Sequence, residues 1–345
     1  MGSEIWLLKE EDMIDKKRIF IIVWCFAMIW FGSCEKQPQK LVLQGEAQGS
    51  FYAITYYDEQ GRDFKQEIDS IFRVVDLSVN LWVDTSVICK VNRNQDVELD
   101  DIFIDNFNIA QEAARLSDGY FDPTISPLVA AWGFSAKQGL EITPSLVDSL
   151  CALVDYREIG IENGKVIKGN PAMQLDFNAI AQGYTSDLIA VFLESQGVNS
   201  FLVNNGGEIM ARGVKPDGSS WVVGIEKPAD RWDAEQVVQT RVALRDHGLV
   251  TSGSTRKYVE RDGKRYSHCI DPKTGYPVEH QVLSVTVMAK SSVWADALAS
   301  MGMVMGMEKS LELFRTLDDV EAYYIFINEE GELDTFATDG FSTMD

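Results

Sequence analysis

Short strand-like runs bounded by Gly, Pro, Asn or Asp recur along this chain, and only a few helical periods lie between them. Apolar and aromatic residues crowd Ser50 to Tyr57, and similar runs return at 201–203, 221–225, 238–244 and 283–289. Phe64, Ile68, Ile71, Phe72 and Val75 repeat at helical spacing and predict a helix over 63–77. Further helices are predicted over 101–117, after a turn at Asp176 up to Gln196, and from Val293 to about Leu313. Clustered strands with interleaved helices predict an α+β fold, with packed helices on a mainly antiparallel sheet core. Residues 48–345 read as one catalytic domain; in a chain of 345 residues they are enough for a large core.

The N-terminus reads as targeting. Lys16, Lys17 and Arg18 precede thirteen uncharged residues, Ile19 to Phe31. That run is shorter than a membrane span and suits a signal-peptide hydrophobic region. It ends in Gly32-Ser33-Cys34, which looks like the lipobox of bacterial lipoproteins, although Phe31 stands where leucine is usual. The reading is a signal peptide over 1–33, acylation of Cys34, and a polar tether over 34–47. An uncleaved N-terminal anchor is the alternative, and both place the body outside the cytoplasm, on the membrane of the cell envelope facing the periplasm. The acidic Glu10, Glu11, Asp12 and Asp15 are odd for a signal, and a start at Met13 would leave 1–12 as an over-long start. Beyond Cys25 and Cys34, the scattered Cys89, Cys151 and Cys269 fit neither a disulfide framework nor a zinc site and are expected to pack as small apolar groups.

Charge narrows the function classes. With 31 Lys+Arg against 53 Asp+Glu the chain carries −22, which argues against nucleic acid as a partner. An anionic ligand must be met by a local device: a cation, a helix N-terminus or a few basic side chains.

Four segments carry more polar, Gly and Pro residues than a core needs. They are Asp118 to Phe134, Asp176 to Tyr184, Thr251-Ser-Gly-Ser with Tyr266 to Gly275, and Ser284-Val-Thr-Val with Ala295 to Ser300. On a helix Asp296 and Ser300 stand at i and i+4, offering a carboxylate and a hydroxyl that suit Mg²⁺ completed by waters and phosphate. An Asp and a Ser near a helix start more often cap it or face solvent. His268, in a loop before an Asp-Pro turn, can titrate near neutrality and act as a base, although a lone His is usually structural. His247 and His280 read as exposed. The 251–254 loop offers N–H groups and hydroxyls to an anion, with Arg256 behind it.

Taken together and in order, these segments resemble the ApbE family, the FAD:protein FMN transferases. The family's patterns appear as Asp118 to Phe134, Asp176 to Tyr184, Asn204 to Glu208, Thr251 to Gly253, His268 to Gly275 and Ala295 to Ser300. The resemblance implies a Mg²⁺-dependent enzyme that cleaves FAD and attaches FMN through a phosphoester to a threonine of an acceptor protein, a flavoprotein subunit of a membrane redox complex. It implies a metal site at the Ala179 carbonyl, Asp296 and Ser300. It implies flavin contacts at Gln48, Trp82, Tyr120, Phe121, Asp122, Asp176, Gln182, Ser252 and Ile270, and it makes His268 the base. Gln182 stands where lysine is usual and Gln48 where methionine is usual. Two rival readings are an FAD pyrophosphatase, with water as acceptor, and a non-enzymatic FAD-binding lipoprotein.

Overall fold

The computed structural model describes residues 37–135, 139–228, 237–254, 258–261 and 264–344. The expected signal peptide, Cys34 and Arg256 lie outside them. In chain order the strands are β1 (Gln39–Ala47), β2 (Ser50–Asp58), β3 (Ile159–Glu162), β4 (Lys165–Lys168), β5 (Phe201–Asn205), β6 (Glu208–Arg212), β7 (Trp221–Glu226) and β8 (Val238–Leu244). They continue as β9 (Gly248–Gly253), β10 (Tyr258–Arg261), β11 (Lys264–Ser267), β12 (Val282–Ala289), β13 (Glu321–Ile327), β14 (Leu333–Ala337) and β15 (Thr343–Met344). The helices are α1 (Lys65–Val79), α2 (Val87–Asn92), α3 (Asp101–Leu116), α4 (Ser126–Trp132), α5 (Pro144–Cys151), α6 (Ala181–Ser195), α7 (Ser292–Met305) and α8 (Met307–Phe314).

An eight-stranded sheet in the order β1-β2-β5-β6-β9-β12-β13-β14 forms the frame, and every neighbouring pair is antiparallel. The α+β expectation holds. One face carries α1, α6 and α7 over buried Tyr52, Ile54, Val203, Val285 and Val287. The other carries the small sheet β15-β8-β7, packed through Trp221, Val223, Leu244 and Ile325.

The expected tether over 34–47 is corrected. Residues 39–47 form edge strand β1, in register with β2 from Gln39 opposite Asp58 to Ala47 opposite Ser50. Leu41-Val42-Leu43 is an apolar run of three, too short to stand out, and β2 supplies the ladder that makes the segment a strand. The hairpin closes on Gln48 and Gly49, whose φ angles of +53° and +74° are the paired left-handed positions of a tight hairpin turn.

The expected helix from 293 to 313 is two helices. Gly306, at φ +76°, ends α7 and starts α8, and a side chain there would be strained. The 251–254 loop is corrected too: Thr251 to Gly253 complete strand β9. The three free cysteines pack as expected, Cys89 buried and the other two partly buried. His247 and His280 are partly buried, not exposed. His247 Nδ1 meets the Arg245 carbonyl at 2.7 Å, and His280 Nε2 meets the Met303 carbonyl at 2.7 Å.

Candidate functional site

Helices α6 and α7 meet at a glycine. Gly183, in the first turn of α6, lies so close to α7 that a Cβ built on it would stand 2.7 Å from the Ser292 carbonyl oxygen and 2.8 Å from Val293 Cα. The same contact lets the Gly183 N–H donate to Asp296 Oδ2 at 3.2 Å, which fixes a carboxylate that is only 5% exposed. One turn along α6, Asp187 accepts from the N–H groups of Ser292 and Val293, both at 2.9 Å, and so caps α7 from outside. Burial pushes the Asp187 carboxyl up to about 6, against the two N–H bonds, which pull it down.

This crossing places the expected metal ligands. Asp296 lies at the N-terminal turn of α6, where the helix dipole favours negative charge, and Ala179 stands just ahead of that turn. Ser300 follows one turn along α7, its hydroxyl 3.5 Å from that of Ser252 at the end of β9. The donors are one carboxylate, hydroxyls and a backbone carbonyl, all hard oxygens that fit Mg²⁺ with waters and phosphate filling its shell. Among the described residues no three His, Cys, Asp or Glu side chains gather as a metal cage, so a cation here would depend on its other ligands.

An amide cluster borders the site. Gln48, at the hairpin tip, donates through Nε2 to Thr185 Oγ1 at 2.9 Å and accepts from Asn205 Nδ2 at 2.8 Å. The Gln182 amide nitrogen lies over Gly206, 2.8 Å from where a Cβ would stand. Asn205 is fully buried, and its Oδ1 has no hydrogen-bond partner among the described residues. Gln182 lies in α6, Gln48 reaches Thr185 on the same helix, and Ser252 lies beside Ser300 of α7, with Gln48 tied to the protein itself.

The His268 loop stands on the first of the sequence segments. Ile270 is 2% exposed and packs with Leu128 and Trp132. Trp132 Nε1 donates to the Gly275 carbonyl at 2.9 Å, and the Phe134 ring meets the His268 ring edge-on with centroids 6.3 Å apart. The Asp271 side chain accepts from the Lys273 N–H at 2.8 Å, and the Gly275 N–H returns to the Asp271 carbonyl at 2.8 Å, closing the turn.

The remaining expected contacts differ in what they can offer. Phe121 is buried in the main core. Asp122 accepts from Thr124 N and Oγ1 at 2.8 and 2.6 Å and from Tyr156 N at 2.9 Å, while burial raises its carboxyl above the usual range. Both hold the loop and leave mainly backbone for a ligand. Tyr120 is different: Lys273 and Lys309 lie over its ring at 4.1 and 4.9 Å, and Lys309 donates to its hydroxyl at 2.7 Å. In so acidic a chain this is a local concentration of cations, with Asp118 paired to Lys273 at 2.9 Å.

Asp176 accepts from the Asn178 N–H at 2.8 Å. Part of its surface is open, yet its carboxyl lies deep enough for desolvation to raise it. Trp82 is 59% exposed and free to offer an indole face. Sequence reasoning missed Gly183 and Asp187. Their i, i+4 spacing on one helix was visible, but nothing local showed that α7 crosses there.

Comparison with known proteins gives one answer. The ApbE family model matches residues 48–324. An FAD:protein FMN transferase of Vibrio cholerae is 32% identical over 295 residues, covering 83% of this chain and 87% of that protein. One from Haemophilus influenzae is 31% identical over 331 residues, covering 92% and 95%. Among solved structures, the flavin transferase ApbE from Vibrio cholerae superimposes with a TM-score of 0.78 at 30% identity, covering 88% of this chain and 98% of that one. The apo flavinyl transferase ApbE of Pseudomonas stutzeri gives 0.78 at 33% identity, covering 88% and 96%.

Proposed function

This chain belongs to the ApbE family, and we propose that, as a flavin transferase of that family, it moves FMN from FAD to a threonine of an acceptor protein. The threonine oxygen attacks the phosphorus on the FMN side of the pyrophosphate. A new P–O bond forms, the bond to the bridging oxygen breaks, and AMP leaves with that electron pair. His268 takes the threonine proton, and the imidazolium then returns it to solvent. A base held by Phe134 and the closed 271–275 turn is positioned for this work without covalent chemistry of its own.

The observation that carries this reading is Asp296, a buried carboxylate fixed by the Gly183 N–H and followed one turn later by Ser300 beside Ser252. Asp296, Ser300 and the Ala179 carbonyl would hold Mg²⁺, which when bound neutralises phosphate charge. Gln182 brings no positive charge, so Lys273 and Lys309 at Tyr120 could share that role. Trp82, Tyr120 and the amides of Gln48 and Gln182 would border the flavin.

We further propose that Cys34 is acylated and holds the domain on the periplasmic face of an envelope membrane. The Ile19–Phe31 run and Gly-Ser-Cys support this.

The test incubates the protein with FAD, Mg²⁺ and a threonine-bearing acceptor domain and weighs the acceptor. A mass gain of one FMN, lost on removing Mg²⁺ or replacing the threonine, supports the reading. Release of free FMN and AMP with an unmodified acceptor would make water the acceptor instead, and unchanged FAD would sink both reactions.

A further inference from the structure

The N-terminal end of β1 and the site lie at opposite ends of the same strands. β1 begins at Gln39, five residues after Cys34, and ends at the Gln48 turn that touches Thr185 and Asn205. Nine strand residues span about 30 Å. β2 covers the same distance in reverse, and β5 runs from Phe201, by the far end of β2, to Asn205. Helix α6 agrees: its first turn meets Asp296, and its last residues reach the opposite end, where Arg62 donates to the Gln196 carbonyl at 2.9 Å. Fifteen helical residues span about 22 Å.

Four elements therefore separate the N-terminal end of the sheet from the metal-ligand end by roughly 25 Å. The chain between Cys34 and β1 reaches at most about 18 Å when fully stretched. The end that carries Gln39, Asp58, Gln60, Arg62 and Asn199 must stay close to the lipid headgroups, whereas the catalytic mouth has no such constraint. Charge selects among the tilts that remain. A strongly acidic body is repelled by anionic headgroups, and lying flat would press its long side against them.

We propose that the domain stands on the membrane on its Gln39–Asp58 end, with the catalytic mouth roughly 25 Å or more above the lipid. The docking partner of that end is the lipid surface, and the acceptor threonine has to be presented at that height. This pose rests on acylation of Cys34.

Hydrogen exchange of the acylated full chain tests it, comparing detergent micelles with vesicles of phosphatidylethanolamine and phosphatidylglycerol. Vesicles should slow exchange severalfold in 58–63, 196–200 and 213–218, the loops at the anchored end, and leave 206–207 and 250–254 unchanged. Slowing at 206–207 or 250–254, or no slowing anywhere on a chain that co-sediments with vesicles, overturns the standing pose alone. A chain that mass spectrometry shows to be unacylated and that stays in the supernatant overturns the anchor and the pose together.

Discussion

Replacing Gly183 by alanine should damage the enzyme out of proportion to the single methyl added. The new Cβ would lie 2.7 to 2.9 Å from three backbone atoms of Ser292 and Val293. Backbone cannot swing aside as a side-chain tip can, so α6 and α7 must part by roughly 0.6 Å to restore ordinary contact. The Gly183 N–H to Asp296 bond, already 3.2 Å, then passes the limit of a useful hydrogen bond. Overpacking of this kind costs about 1–3 kcal/mol, which a domain with about 5–15 kcal/mol of stability survives. Calorimetry should show Tm lowered by about 2–8 °C. Activity should fall further, because a shift approaching 1 Å in a positioning group costs on the order of 10² in rate. The assay is FMN transfer to an acceptor at fixed temperature, with kcat and KM for FAD measured separately and kcat expected to carry most of the loss. Gly160→Ala is the matched control, since a Cβ there meets nothing within 4 Å, and it should leave both Tm and rate near wild type. Wild-type Tm and transfer rate in Gly183→Ala would refute the claim that this crossing positions Asp296.

Asp296→Asn keeps an acceptor for the Gly183 N–H but removes the charge, so Tm should stay within a few degrees while Mg²⁺-dependent transfer is lost; calorimetry and the transfer assay check both. His268→Ala should bind FAD within a few-fold of wild type by titration, while transfer falls by roughly 10² or more. A variant as fast as wild type would remove His268 as the base. Asp187 has its folded value raised to about 6 from 3.8, so its contribution to stability is fully present below about 3.8 and is lost as pH rises through about 6. Denaturation of wild type and Asp187→Asn across pH 4 to 7 should show wild type losing up to about 3 kcal/mol relative to the variant; parallel curves would contradict this. The slope is the readout, because asparagine also changes the cap itself.

Local chemistry made much of this protein legible in its sequence. The helical spacing of Phe64, Ile68, Phe72 and Val75 is an amphipathic face, and those of its residues that the core buries are the ones the period selects. Asp271 and Gly275 specify their turn through bonds that span only a few residues. Asp296 and Ser300 share a helix face by period alone. Such features depend on neighbours in the chain, so composition and spacing determine them.

Tertiary structure decided the rest. Residues 39–47 are a strand because β2 lies beside them, and their own three-residue apolar run does not announce it. The break at Gly306 ends a helix that apolar periodicity alone would have carried on to residue 313. The Gly183 bond to Asp296 joins residues 113 apart, and the Trp132 bond to Gly275 joins residues 143 apart. No local pattern encodes such pairs, because they exist only when the sheet brings distant helices and loops together. The sequence supplied the chemical groups of the site, and close packing of α6 on α7 set where the carboxylate points.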